Sequence, residues 1–251
     1  MKPNLAHPDR KTIKSLFDAI PSRYDFLNSF FSLGLDGYWR RKLVETALIN
    51  LTPPPFLPPQ VGEDKGGGSM LDLGIGTGKS LAQFLKTQSF EYSVGCDFSE
   101  NMLLKSKERL GGGIDLLACD FHDLPFRSET FDLVTGSFIL RSVQTMDHFL
   151  SEVKRVLKPG RKAVFLELTR PKNRLIWNLA YRPYLNFYIP AVGKLFSKHD
   201  HAYQFLSQSI QSFVEPADLK KNLESVGFSD VSYETFSFGS AAIIQGRRKQ
   251  I

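Results

Sequence analysis

The chain has 251 residues, 42% hydrophobic and 23% charged, enough to bury a normal core, and this composition excludes disordered and fibrous classes. Its net charge of +6 fits an anionic membrane surface or simply a basic soluble surface; no basic array studded with aromatics accompanies it, so nucleic acid is not an expected partner. No run of about 18 uncharged apolar residues predicts a spanning helix, the N-terminus lacks an apolar signal core, and two cysteines without paired histidine spacing fit a reducing, cytoplasmic setting with no metal site.

Residues 1–10 read as a polar leader. Ile13, Leu16, Phe17 and Ile20 then share one helical face, which Pro21-Ser22-Arg23-Tyr24-Asp25 interrupts. A second helix is predicted from Asp36 as N-cap, burying Trp39, Leu43, Val44, Ala47 and Leu48. Read alone, Arg23 to Asp25 is either a helix junction or part of a site. Thr52 to Gly68 holds five prolines and four glycines, too many for a regular element, so residues 1–68 form a helical arm and linker ahead of a core at 69–251.

Met70-Leu71-Asp72-Leu73 runs into Gly74-Ile75-Gly76-Thr77-Gly78 and then into a helix with Leu81, Phe84 and Leu85 inward. A buried strand, a glycine loop and a helix N-terminus in succession make a cradle for a polar or anionic ligand. Nineteen residues beyond Gly78, the strand Tyr92 to Asp97 ends in a carboxylate able to accept both hydroxyls of a ribose. The glycines are spaced G-x-G-x-G rather than G-x-G-x-x-G, which favours S-adenosylmethionine over NAD. A third strand, Asp115 to Asp120, ends in another acid placed to bracket an adenine, with Phe121 beside it.

Met102, Leu103, Ser106 and Leu110 lie on a helix behind Ser99 as N-cap, and strand–helix alternation predicts a parallel sheet with right-handed crossovers. Phe131 to Ser137 is the fourth strand; it feeds Phe138 to Val143 and a helix carrying Phe149, Leu150, Val153, Val156 and Leu157, which Lys158-Pro159-Gly160 stops. Lys162 to Leu168 is the fifth strand. Ser137, Arg141 and Glu167 therefore fall at the same carboxyl edge as the glycine loop, Arg141 being either a site cation or the partner of a surface carboxylate. An insertion at 171–215 opens with dense aromatics from Ile176 to Pro190 and reads as a lid: a structural helix pair, a hydrophobic tunnel, or a membrane-facing surface. His199-Asp200-His201 reads as solvated surface. A last helix on Pro216, Leu219, Leu223 and Val226 ends at Gly227, and two strands follow as a terminal hairpin with Gly239 in their turn.

Phe17-Asp18, Arg23-Tyr24-Asp25, Asn28, Ser32-Leu33-Gly34, Trp39-Arg40, Leu124-Pro125-Phe126, Leu140-Arg141 and Arg155 to Gly160, with Ala202-Tyr203 and Ser209-Ile210, resemble the ubiquinone and menaquinone biosynthesis C-methyltransferase family from about residue 12 to residue 248. The resemblance implies a class I, Rossmann-like α/β fold of the S-adenosylmethionine-dependent methyltransferases: a mostly parallel sheet with an antiparallel C-terminal strand, an N-terminal helical arm and a helical lid. It implies S-adenosylmethionine as donor and the ring carbon of a polyprenylated quinol, demethylmenaquinol first, as acceptor. Gly74, Gly76, Thr77, Gly78, Asp97, Asp120, Phe121 and Ser137 fall on its cofactor-binding positions, and Tyr24 and Arg141 on positions that orient or activate the quinol. Ser142 stands where relatives carry asparagine and Lys79 where they carry aspartate. The prenyl tail implies peripheral contact with the inner face of the cell membrane; assembly as a homodimer stays open.

Overall fold

The computed structural model describes residues 21–49, 51, 68–188 and 215–250. The helix expected around Ile13, the Pro/Gly linker and His199-Asp200-His201 lie outside the described residues.

A seven-stranded sheet organises the chain, with β1 (Ser69–Leu73), β2 (Tyr92–Asp97), β3 (Asp115–Ala118), β4 (Phe131–Ser137), β5 (Leu157–Leu168), β6 (Phe228–Phe236) and β7 (Ala241–Arg248). The order is β3-β2-β1-β4-β5-β7-β6. All pairs from β3 to β5 are parallel, as the alternation of strand and helix signals predicts, and β7 enters antiparallel between β5 and β6. The chain reverses on either side of β1, so the carboxyl ends of β1, β2 and β4 meet at one edge, where an open α/β sheet binds ligands.

Both faces of the central strands are buried. Alternate residues such as Leu71, Val134 and Phe165 point to a cluster closed by α5 (Met146–Val156) and α6 (Pro216–Ser225). Met70, Leu133 and Val164 point to the opposite cluster, closed by α3 (Lys79–Thr87) and the arm helix α2 (Leu35–Leu48). Trp39, Leu43, Val44 and Ala47 of α2 are all buried there, each large side chain contributing roughly 1.5 to 3 kcal/mol of transfer free energy. Lys162 on β5 reinforces the seam by donating from Nζ to the carbonyls of Thr46 (2.7 Å) and Ile49 (2.6 Å) at the C-terminal end of α2.

Three local expectations are corrected. Pro21 to Asp25, read as a break, is itself helical and belongs to α1 (Pro21–Phe31). The N-cap of α2 is Gly34 in left-handed backbone (φ 80°), while Asp36 sits inside the first turn with its carboxylate committed to the core. β5 begins at Leu157, which pairs with Phe131 before a register break leads to the pairing of Lys162 with Leu133. Lys158-Pro159-Gly160 is thus a bulge within the strand, tied down where Lys158 and Arg161 bind Asp132. Ser99 caps α4 (Glu100–Leu110) as expected, its hydroxyl accepting from the Met102 N–H.

Candidate active site

The glycine loop turns in left-handed backbone at Gly74, Gly76 and Gly78 (φ 61°, 54° and 80°). At Gly74 a side chain is excluded twice over, because an added Cβ would lie 2.1 Å from Ile139 Cγ2. Asp97 at the end of β2 fixes the loop: one carboxylate oxygen accepts the Gly76 N–H and the other the Ser99 N–H, each at 2.9 Å. Asp97, Gly74 and Gly76 line a narrow cleft with Phe98, Met102, Phe121, Ser137, Phe138 and Ser142. Its open interior is about 30 Å³, and the edge-to-face pair of Phe98 and Phe121 (6.1 Å) stands on its wall. The donor set suits a nucleoside: an oriented carboxylate for vicinal hydroxyls, aromatic edges for a base, and bare loop backbone for a polar tail. Asp120 is not part of the cleft lining; it accepts from the His122 N–H at 2.9 Å.

The arm closes over this loop through charged contacts. Asp25 of α1 accepts from the Thr77 hydroxyl (2.6 Å) and from Arg109 (2.5 Å), and Arg109 also donates to the Thr77 carbonyl. Lys79, the first residue of α3, donates to Asp36 and to Ser29 Oγ, both at 2.9 Å. Burial would raise the Asp36 carboxyl, but the hydrogen bond and charge of Lys79, with Ser29 and Arg40, hold it below the ordinary carboxylate value. Arg40 donates to Ser80 Oγ, and Ser80 shares a 2.8 Å hydrogen bond with Ser137, so α2 reaches the end of β4 through one serine.

Beside the cleft lies a cavity of about 580 Å³ whose walls come from the arm (Phe31, Leu35, Trp39), the insertion (Tyr181, Tyr184, Leu185) and the turn before β7. The insertion winds through wide π-helical turns over Trp177–Tyr181 and Tyr184–Tyr188, and Tyr184 donates its hydroxyl to the Phe31 carbonyl, joining insertion to arm. Phe138 lines both the cleft and the cavity, in left-handed backbone (φ 63°), with the guanidinium of Arg40 over its ring at 5.0 Å. A phenylalanine held there is a strained residue at the boundary of two pockets.

Arg141 also lines the cavity. Its side chain is 6% exposed and pairs with Glu167, which is fully buried; Glu167 additionally accepts the Arg141 backbone N–H (3.3 Å) and the Leu168 N–H (2.8 Å). Arg141 Nε is buried with no hydrogen-bond partner among the described residues, an unmet donor on a cavity wall. Burial raises the Tyr181 phenol well above its ordinary value, with the charge of Arg141 acting in the opposite sense, so the phenol stays neutral at physiological pH.

Of the residues singled out from sequence, the structure brings Gly74, Gly76, Asp97, Phe121 and Ser137 to the cleft and Arg141 to the cavity. Thr77 is turned to Asp25 and Arg109. Tyr24 lies on α1, and its side chain is outside the described residues. Phe138, Asp25, Arg109, Ser80 and Glu167 complete the arrangement; Glu167 had a sequence signal in its place at the end of β5 and Asp25 in the Arg23-Tyr24-Asp25 motif.

The profile of the ubiE/COQ5 methyltransferase family matches residues 6–248. The chain is 36% identical over 239 residues to the ubiquinone/menaquinone biosynthesis C-methyltransferase UbiE of Desulfotalea psychrophila, covering 93% of this chain and 89% of that one. It is 35% identical over 238 residues to demethylmenaquinone methyltransferase of Thermotoga maritima, covering 94% and 96%. Among solved structures, the complex of the Haloferax volcanii Trm112 methyltransferase activator with a putative methyltransferase aligns with a TM-score of 0.62 at 17% identity, over 93% of this chain and 98% of that one. Phosphoethanolamine N-methyltransferase 2 of Haemonchus contortus with S-adenosyl-L-methionine aligns with a TM-score of 0.55 at 17% identity, over 88% and 60%. These two likenesses bear on the fold.

Proposed function

Because the chain belongs to the ubiE/COQ5 methyltransferase family, we propose that it transfers the methyl group of S-adenosylmethionine to a ring carbon of a lipophilic quinol, demethylmenaquinol in the first place. The observation that carries the acceptor is the cavity of about 580 Å³, apolar but for a few groups and bearing the buried Arg141 on its wall, next to the cleft and divided from it by Phe138. A flat ring with a prenyl tail matches such a space, because apolar burial supplies affinity and a few polar groups orient the ring.

We assign Gly74, Gly76, Thr77, Gly78, Asp97, Asp120, Phe121 and Ser137 to holding the donor, the first contacts being those of Asp97 with ribose hydroxyls. Bound there, S-adenosylmethionine supplies an electrophilic methyl group on a sulfonium. The chain's own part is to make a ring carbon nucleophilic and to hold it in place. A quinol carbon attacks best once the neighbouring hydroxyl has lost its proton, and a cation beside that oxygen favours the phenolate; once the carbon has taken the methyl group, its own hydrogen leaves as a proton and the ring oxygen takes one back, restoring the aromatic quinol. Arg141 stays protonated and so serves as that cation rather than as a base, donating from Nε to the quinol oxygen while water takes the proton. Glu167 keeps the guanidinium oriented. Tyr24, on the family resemblance, orients the ring. Alignment is the larger effect, since fixing two reacting groups about 3 to 3.5 Å apart supplies roughly 7 to 11 kcal/mol.

The same reading extends to the membrane that holds the tail. No helix among the described residues is long and apolar enough to cross a bilayer. Leu33 and Phe238 line the cavity yet are 73% and 83% exposed, and Leu179 on the insertion is 77% exposed. Leu33 and Phe238 form an apolar rim at the cavity suited to rest on the inner leaflet, so the protein acts peripherally there. A rise in melting temperature with S-adenosylmethionine but not NAD tests the donor, and sedimentation with anionic vesicles tests the rim.

A further inference from the structure

A second cleft, of about 410 Å³, lies on the far side of Pro171, which lines both it and the large cavity. Arg170, Lys172, Arg174, Trp177, Asn178 and Glu215 surround it, three cations against one carboxylate. Neither the mechanism nor the cofactor cleft uses any of them. Arg170 stacks its guanidinium over the Trp177 ring at 5.5 Å and touches Glu215 with one terminal nitrogen at 3.3 Å, which fixes its plane. Lys172 leans on the Tyr233 ring at 6.0 Å, and neither Lys172 nor Arg174 makes an ion pair among the described residues. Asn173 does not compete for a ligand, because its side chain caps the turn that follows by accepting the Leu175 and Ile176 N–H groups.

We propose that this cleft binds a phosphoryl group. Two guanidinium forks and one ammonium around a concavity match the several oxygens of a tetrahedral anion better than the two of a carboxylate, and arginine engages phosphate through paired N–H donors. The surroundings narrow its origin to a phospholipid headgroup or a free phosphate or phosphate ester. Leu175, on the same segment, is 70% exposed, and the turn carrying Phe238 packs on this segment, with Gly239 against Pro171. A headgroup in the cleft would lay its acyl chains along that rim. This inference goes beyond the proposed reaction: the cleft stands or falls whatever the acceptor is.

The test uses the full chain and its triple variant Arg170→Gln, Lys172→Gln, Arg174→Gln, whose positions are exposed and outside the catalytic machinery. A control replaces Lys86, Lys220 and Lys221 with glutamine and removes the same charge elsewhere. Binding is measured at constant ionic strength to inorganic phosphate by calorimetry, and to phosphatidylcholine vesicles with and without phosphatidic acid by sedimentation. The expected result is saturable binding that falls by about tenfold or more in the site variant and by less than about twofold in the control. Loss confined to vesicles identifies a lipid headgroup; loss seen with inorganic phosphate as well identifies a free phosphoryl ligand. Equal weakening in both variants, or no saturable binding to any probe, overturns the site. Methyl transfer to a short-tailed quinol, measured alongside, reports on the proposed reaction separately.

Discussion

Glu167 takes both the guanidinium and the backbone N–H of Arg141, so one buried carboxylate fixes the only ionised side chain we assign to the quinol. A buried pair of this kind is weak evidence for stability, since desolvating two charges offsets much of their attraction. Its value is geometric: the arginine cannot swing away from the cavity. Glu167→Gln should therefore cost about 3 kcal/mol or more of stability by leaving a buried cation uncompensated. It should also lower kcat more than KM, with cofactor affinity unchanged. A melting curve and steady-state kinetics together check this; a kcat equal to wild type would remove Glu167 from positioning.

Arg141→Ala should keep cofactor binding and lose turnover by about 100-fold or more, because the phenolate then lacks its cation. Calorimetry with the donor and single-turnover methyl transfer check the two halves of the prediction independently.

Asp97→Ala removes the acceptor for the Gly76 and Ser99 N–H groups as well as the proposed ribose contacts. Charged hydrogen bonds of roughly 1.5 to 3 kcal/mol each imply donor affinity weaker by at least about tenfold. Unchanged affinity by calorimetry would contradict the assignment of the cleft.

Lys79→Asp places a carboxylate against buried Asp36 and should release the arm from the loop. Because Asp36 titrates below its ordinary value, the stability it contributes is present above the unfolded carboxylate value and is lost as pH falls through the lower folded value. Wild-type protein should thus keep its arm protected from protease at pH 7 and lose protection only in strong acid, whereas Lys79→Asp should be cleaved in the arm already at pH 7.

Asp72 titrates in the other direction. Fully buried under the loop, it is pushed up to about 6 by desolvation, against the lowering effects of its 2.8 Å hydrogen bond from Thr135 and the charge of Arg40. Folding is then favoured while Asp72 is protonated, and that contribution is lost as pH rises from about 4 to about 6. Asp72→Asn keeps an acceptor for Thr135 and should stabilise the protein above pH 6 by up to about 3 kcal/mol, with little effect below pH 4. Denaturant titrations at pH 4 and pH 8 check the difference.

Much of this molecule could be read from the sequence where local signals agree with the fold. Phe131 to Ser137 is an apolar run bounded by polar turns, and the strand has those bounds. The parallel direction of the first five strands followed from alternation of strand and helix, whereas their order is seen only in the structure. Misreadings fell where a distant partner decides. Asp36 has the look of an N-cap, but its partner is Lys79, and nothing local announces a contact across 43 residues. The bulge at Lys158-Pro159-Gly160 is likewise set by Asp132 on another strand. Arg141 and Glu167 could be placed at one edge by topology, yet their pairing, and the role of Phe138 as the wall between two pockets, emerge only from packing.

The most direct test of the account is anaerobic incubation of the purified protein with S-adenosylmethionine and a reduced short-tailed demethylmenaquinone, with mass spectrometry of the quinol for wild type and Arg141→Ala. The account predicts a quinol heavier by one methyl group on a ring carbon with the wild type, and product slower by about 100-fold with the variant. Absence of methylated quinol from wild-type protein that binds the donor in the same sample, or equal rates for the two proteins, would contradict it.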